Sequence, residues 1–198
     1  MLRPRSDLLV LLVLLGVFGC THNVVPKVTP AKVPGVQPPI DARALLLITT
    51  SFKSYTSQSS NGIHRYNYRL GESVAAALSG MVGQSFTHAE TRHLADAEML
   101  SWLSAPADTS QADLLLVPYF ESGGMRERAF DAVADARLRM DVRSLRTGQT
   151  FAWTAVGRSA RAFSSLRGLT GTALEHALQA LSDTLAAHRS DLEVARTP

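Results

Sequence analysis

The sequence predicts an α+β domain: a mostly antiparallel sheet with two main helices packed on one face, preceded by a signal peptide and a proline-rich tether. Three observations carry this. Ala134, Ala136, Leu138, Met140 and Val142 alternate strictly with Asp135, Arg137, Arg139, Asp141 and Arg143. That period belongs to a strand with one buried and one wet face, as antiparallel sheets allow. Two stretches carry apolar stripes at helical spacing: Val74, Leu78, Met81, Val82 and Phe86, and then Leu174, Leu178, Leu181 and Leu185. Ahead of all of them, Pro26, Pro30, Pro34 and Pro38 recur every fourth residue, and Pro39 adds a fifth.

The chain begins with a leader. Met1 to Asp7 carry Arg3 and Arg5, Leu8 to Val17 is apolar apart from Gly16, and Gly19 is small. This is the order of a secretory signal over 1–19. Its apolar run of about 12 residues falls short of the ~20 that cross a hydrocarbon core. Cys20, the sole cysteine, follows at once, and a lone cysteine in an exported chain needs an explanation. An ordinary soluble signal peptide with an incidental cysteine is the plain alternative. Val17, Phe18, Gly19 and Cys20 resemble the lipobox of bacterial lipoproteins, with Phe18 standing where a small residue is usual. The resemblance implies diacylglycerol on the Cys20 thiol, cleavage before it, and acylation of the new amine. At about 0.8 kcal/mol per buried methylene, three chains anchor a protein effectively permanently. Thr21 stands where enterobacterial lipoproteins kept in the inner membrane usually carry Asp, so the resemblance implies the outer membrane of a Gram-negative bacterium, facing the periplasm.

Loss of 1–19 removes two arginines and one aspartate, so the formal charge falls from +3 to +2. A weakly basic exported chain is no nucleic-acid binder by charge. With no second cysteine, stability rests on one apolar core, for which about 150 residues are ample. Proline has no amide donor and fixes φ, so 20–40 reads as an extended spacer. It reaches at most about 60 Å from the membrane. The single domain spans 41–193, with a tail at 194–198.

Within the domain, "ALLLITTSF" (44–52) reads as a buried strand and "SYTSQSSNG" (54–62) as a polar turn or loop. In "IHRYNYRL" (63–70), His64, Tyr66, Tyr68 and Leu70 share one face; Ile63, Arg65, Asn67 and Arg69 share the other. Gly71 ends that strand, and the first helix runs to about Phe86. A short strand near Thr91 and a helical piece around Leu94 to Leu103 follow. "ADLLLVPYFE" (112–121) is a second buried strand, with Pro118 at an edge or bulge, closed by Gly123-Gly124. The strictly alternating strand leads through "RTGQT" (146–150) into a hairpin partner over 150–160. Thr172 and Glu175 read as a capping box that opens the last helix.

No catalytic constellation emerges. There is no G-x-S-x-G elbow and no S-x-x-K. His88, Glu90 and His93 form the densest ligand-like cluster, but an i,i+5 spacing fits one face of neither a helix nor a strand. Surface histidines are the better reading. "SLRGLTGT" (165–172) could suit an anion at a helix start but lacks the P-loop lysine. Asp131 and Asp135 read as surface ion-pair partners. No metal or cofactor is expected. Arg65 and Arg69 on one strand face, and Arg137, Arg139 and Arg143 on another, are candidate partner- or anion-facing groups. Asp135 and Asp141 within the second stripe point instead to a self-paired, solvated face. Tyr55, Tyr66 and Tyr68 beside Phe52 could rim a partner site, but the alternation turns Tyr66 and Tyr68 inward.

"DVRSLRTGQTFAW" (141–153), "ADLLLVPYF" and the closing helix are similar to small outer-membrane lipoproteins with an α+β periplasmic domain, of YajG-like or LpoB/CsgG-like type. The similarity covers about 42–190 in element order. It implies a non-enzymatic accessory or scaffold subunit of an envelope assembly, secretion or cell-wall system, with an envelope protein as partner or a homo-oligomer. The partner-binding residues of those families have no residue-by-residue match here. A carrier or chaperone of lipid or polysaccharide is the competing expectation.

Overall fold

The computed structural model describes residues 20–29, 33–61, 64–104, 111–127, 132–161 and 166–194. Residues 1–19, expected as a leader, Ile63, Asp131 and residues 195–198 of the expected tail lie outside the described residues. The fold is α+β, with eight strands in two sheets and five helices among the described residues.

The strands are β1 Thr21–Val24, β2 Ile40–Thr49, β3 Thr56–Asn61, β4 His64–Arg69, β5 Phe86–Leu94, β6 Leu114–Glu127, β7 Ala132–Ser144 and β8 Thr150–Arg161. The helices are α1 Thr50–Ser54, α2 Leu70–Ser85, α3 Asp96–Ser104, α4 Leu166–Ala187 and α5 Arg189–Val194. The large sheet has the order β5-β2-β6-β7-β8 and the small one β1-β4-β3. In the large sheet β2 runs parallel to both β5 and β6, while β6, β7 and β8 form an antiparallel meander. In the small sheet β1 is parallel to β4, and β3 antiparallel to it. Both sheets are therefore mixed, which corrects the expected mostly antiparallel sheet. Parallel neighbours require crossovers; the β3–β4 hairpin with α2, and later α3, supply them.

The main core lies on the face covered by α2 and α4. Leu138, Met140, Leu178 and Leu181 are at most 2% exposed, beside Leu46, Ile48, Leu78 and Met81. A second, thinner layer on the opposite face places Met99, Trp102 and Leu103 of α3 over Leu45, Leu47, Leu115 and Val117. Strand alternation divides β2 between the layers, Ala44, Leu46 and Ile48 against Leu45 and Leu47, which is why it reads as an unbroken apolar run.

Three local expectations change. "SYTSQSSN" supplies β3 rather than a loop, because its polar residues pair in full with β4. Gly123-Gly124 does not end β6. The strand passes through them, and a Cβ there would lie 2.9 Å from Leu70 and 2.8 Å from Ser57. The pair lets α2 and the small sheet close on β6. Pro118 lies past Leu114–Leu116, the part of β6 paired with β2, and ahead of a bulge between Phe120 and Ser122. Finally, α4 begins at Leu166, so Thr172 sits inside it and bonds back to Gly168 O at 3.1 Å. It is no cap.

Glu175 has other work. The Thr29 N–H donates to its carboxylate at 2.9 Å, and this contact is one of a series along the proline-rich segment. Gly35 N–H donates to Gln84 and Val36 N–H to Ser85 Oγ. Ser182 Oγ donates to Pro34 O at 2.7 Å, and the Arg189 guanidinium to the carbonyls of Pro38 and Pro39. Pro26, Val33 and Val36 are buried. A Cβ at Gly171 would stand 2.2 Å from Lys27 O. Contacts at 171, 175, 182 and 189 meet strap residues in rising order, so the segment runs alongside α4 in the same direction. The expected free spacer is corrected over its described residues: it is a docked strap. Prolines lose little conformational freedom on ordering. Each one also removes an N–H that docking would have to satisfy.

Candidate functional site

Cys20 stands at the start of this docked segment, and its side chain is exposed. Its carbonyl accepts the Arg65 N–H at 2.9 Å, so the first described residue is already fastened to β4. Pairing continues through Thr21↔Arg65, His22↔Tyr66, Asn23↔Asn67 and Val24↔Tyr68. His22 stacks on Tyr66 with ring centres 5.2 Å apart, and its Nε2 lies 3.1 Å from His64 Nδ1. One face of β4 packs inward, as the alternation predicts. Tyr68 is buried with its hydroxyl on Met125 Sδ, and Tyr66 is half-buried. Tyr55 stacks on Phe120 at 4.4 Å. These aromatics belong to the core rather than to a rim.

The two arginine groups lie on different sheets. Arg65 and Arg69 occupy the outer face of the small sheet, where Arg69 pairs with Glu72 at 2.8 Å. Arg137, Arg139 and Arg143 point away from α4 on β7. There Arg139 grips Asp141 at 2.6 Å, Arg137 lies 4.0 Å from Glu121, and Arg143 donates to the Leu103 carbonyl. The Asp141 hydrogen bond, ahead of its charge, raises the Arg139 pKa. Tyr119 on the same face is pushed up, by burial first and by Asp141 second. This stripe is self-paired, and exposed pairs of this kind add little to stability.

Two features were not legible in sequence. The first is Asp113, whose side chain is 2% exposed between Arg43 and Arg146. It accepts the Arg43 N–H and the Arg146 Nε–H, each at 2.9 Å. Burial is the largest single influence and raises its pKa; hydrogen bonds and charge from Arg43, with charge from Arg146, outweigh it and leave the pKa lowered. Asp113 lies 70 positions from Arg43, so no local pattern announces the pair. The second is a cleft of about 630 Å³ between the carboxyl ends of β2 and β5, lined by Thr49, Lys53, Arg69, Glu72 and His93. The connection leaving β2 passes over the face covered by α2, and the one leaving β5 over the face covered by α3. Such a reversal is where open α/β sheets form ligand crevices. His88 and His93 both lie on β5 and are exposed. Among the described residues no three His, Cys, Asp or Glu side chains are grouped to hold a metal ion. Among them, too, no helix is long and apolar enough to cross a membrane.

No protein-family model matches the chain, and no curated protein matches it in sequence. Solved structures that resemble it include a Xanthomonas campestris protein of the family DUF330, at 12% identity and TM-score 0.47, covering 86% of this chain and 96% of that one. The PelC dodecamer of Paraburkholderia phytofirmans matches at 11% identity and TM-score 0.42, over 75% and 90%. A Neisseria meningitidis lipoprotein, GNA1162, matches at 11% identity and TM-score 0.34, over 75% and 99%. The neighbours thus include lipoproteins and a protein that forms dodecamers. At such identities their functional residues do not transfer to this chain.

Proposed function

We propose that this chain is a lipoprotein anchored through Cys20 in the outer membrane, facing the periplasm. It acts non-enzymatically, by binding protein, as an accessory or scaffold subunit of an envelope assembly. One observation carries the anchor: the only cysteine follows an apolar run in the sequence and is the first described residue, with its side chain exposed. With Cys20 bonded to β4 and the strap docked on α4, the domain has no long tether. Its partner is therefore resident in, or held at, the same membrane; a second copy of the chain meets that condition too.

The test is Cys20→Ala in the full-length chain. Only the backbone carbonyl of Cys20 bonds to the sheet, so the domain stays folded while palmitate labelling and membrane sedimentation are lost. A variant that remains in the membrane pellet and still shows globomycin-sensitive processing would falsify the anchor. In-cell crosslinking of the wild type should then trap a membrane-associated protein or a second copy.

The second reading is a carrier of lipid or polysaccharide, favoured by the β2–β5 cleft with Lys53, Arg69 and His93 at its wall. Glycan or lipid in the purified protein, found by mass spectrometry and lost in Lys53→Glu, would put that reading first.

A further inference from the structure

The small sheet contains no acidic residue. Thr21–Val24, Thr56–Asn61 and His64–Arg69 hold two arginines, two histidines and otherwise uncharged side chains. Register places Thr21, Gln58, Ser60, Arg65 and Asn67 on its outer face, around a shallow groove of about 340 Å³. All of these are exposed except Asn67, which is half-buried. Arg69 shares that face but is neutralised by Glu72. Arg65 has no charged partner among the described residues. Its guanidinium is free to take a phosphate, a geometry that arginine matches with paired donors.

Position decides what covers this face. A bilayer adds about 5–7 Å of headgroup on each side of its hydrocarbon core. Strands lie about 4.8 Å apart, so β4 is one spacing from β1 and β3 two, about 10 Å. An acylated Cys20 holds the start of β1 at the depth of the glycerol backbone. No slack follows it, because Cys20 is hydrogen-bonded to Arg65 and the strap is fastened at Thr29, Pro34 and Pro38. The Cys20 end of β4, where Arg65 stands, is then held about one strand spacing from the headgroups.

We propose that the outer face of the small sheet, at its Cys20 end, is a membrane-docking surface that rests on lipid headgroups, with Arg65 on a headgroup phosphate. This rests on lipidation of Cys20. It fixes the orientation of the whole domain: the turn between β7 and β8, at the other end of the large sheet, points away from the membrane.

The experiment uses the full-length chain, processed in cells and reconstituted into vesicles of phosphatidylethanolamine and phosphatidylglycerol doped with a headgroup-nitroxide lipid. Once Cys20 is acylated, Ser60→Cys provides the single thiol for a bimane label, and Gln149→Cys provides the distal control. Quenching severalfold stronger at 60 than at 149 is expected. Adding Arg65→Glu should weaken quenching at 60 while the mass of the acylated N-terminus stays the same. An acylated protein with equal quenching at both sites overturns the docking surface alone, as does a disulfide crosslink between copies through position 60. An unmodified Cys20 overturns the lipoprotein reading, and the docking surface falls with it.

Discussion

Asp113 shows how much one side chain can fasten. It sits where β2, β6 and the β7–β8 turn converge: its N–H donates to Arg43 O, its carbonyl accepts from Leu145, and its carboxylate joins Arg43 to Arg146. Both guanidiniums remain partly in water, at 44% and 39% exposed. The loss on removing the carboxylate charge is therefore nearer that of a charged hydrogen bond than of a fully buried pair. We expect Asp113→Asn to cost on the order of 2–3 kcal/mol. Its sign with pH follows from the lowered pKa. The unfolded aspartate titrates near 3.9, and the folded one below that. The contribution is complete above about pH 4 and is lost as pH falls through the folded pKa. Urea midpoints between pH 2 and pH 7 should therefore fall less steeply at the acid end in Asp113→Asn than in the wild type. Parallel curves would mean that Asp113 carries no linked proton. His22 and His64 teach a related lesson. Forty-two residues apart, they read as isolated until β1 pairs with β4.

The element that the sequence described least well is the strap. Its prolines announce an extended backbone correctly, but extension does not decide between a free spacer and a docked one. That choice is made by Glu175, Gln84, Ser85 and Ser182, about 50 to 150 positions away. No window of sequence contains both sides. β1 is invisible for the same reason: "THNV" has no strand signature, and its ladder comes from β4. Glu175 was legible as a helix-starting residue and is in fact the partner of Thr29. Gly171→Ala tests docking with a change of sign. In an exposed helix interior, alanine stabilises by about 1 kcal/mol over glycine. Against a docked strap its Cβ meets Lys27 O at 2.2 Å, so the helix or the strap must shift and the variant should be less stable than wild type. A raised urea midpoint in Gly171→Ala would place the strap off the helix in solution.

At the scale of the whole molecule, the two layers are unequal. Periodicity was a reliable guide to the thick one: the β7 alternation and the stripes of α2 and α4 meet as one cluster that also takes in Val33 and Val36 of the strap. It could not give the strand order. Parallel pairing of β2 with β5 and β6 is settled by the crossovers, and a continuous apolar run such as "ALLLI" says only that both faces are covered. The cover on the far face is a nine-residue helix whose Met99, Trp102 and Leu103 are only half-buried, with Leu100 68% exposed. Such a layer should open without the rest, since local stability follows the apolar contact that each unit makes. Native-state hydrogen exchange should therefore find Ala97–Ser101 released at low denaturant with a small urea dependence. The amides of Ala177–Leu185 should exchange only on global unfolding. Leu178→Ala, at a fully buried site, should cost about 2–5 kcal/mol and lower the α4 isotherm by that amount. The α3 amides should scarcely change, because their opening does not pass through the unfolded state. If both helices shifted together, the two layers would be one cooperative unit, and the partition drawn from their packing would be wrong.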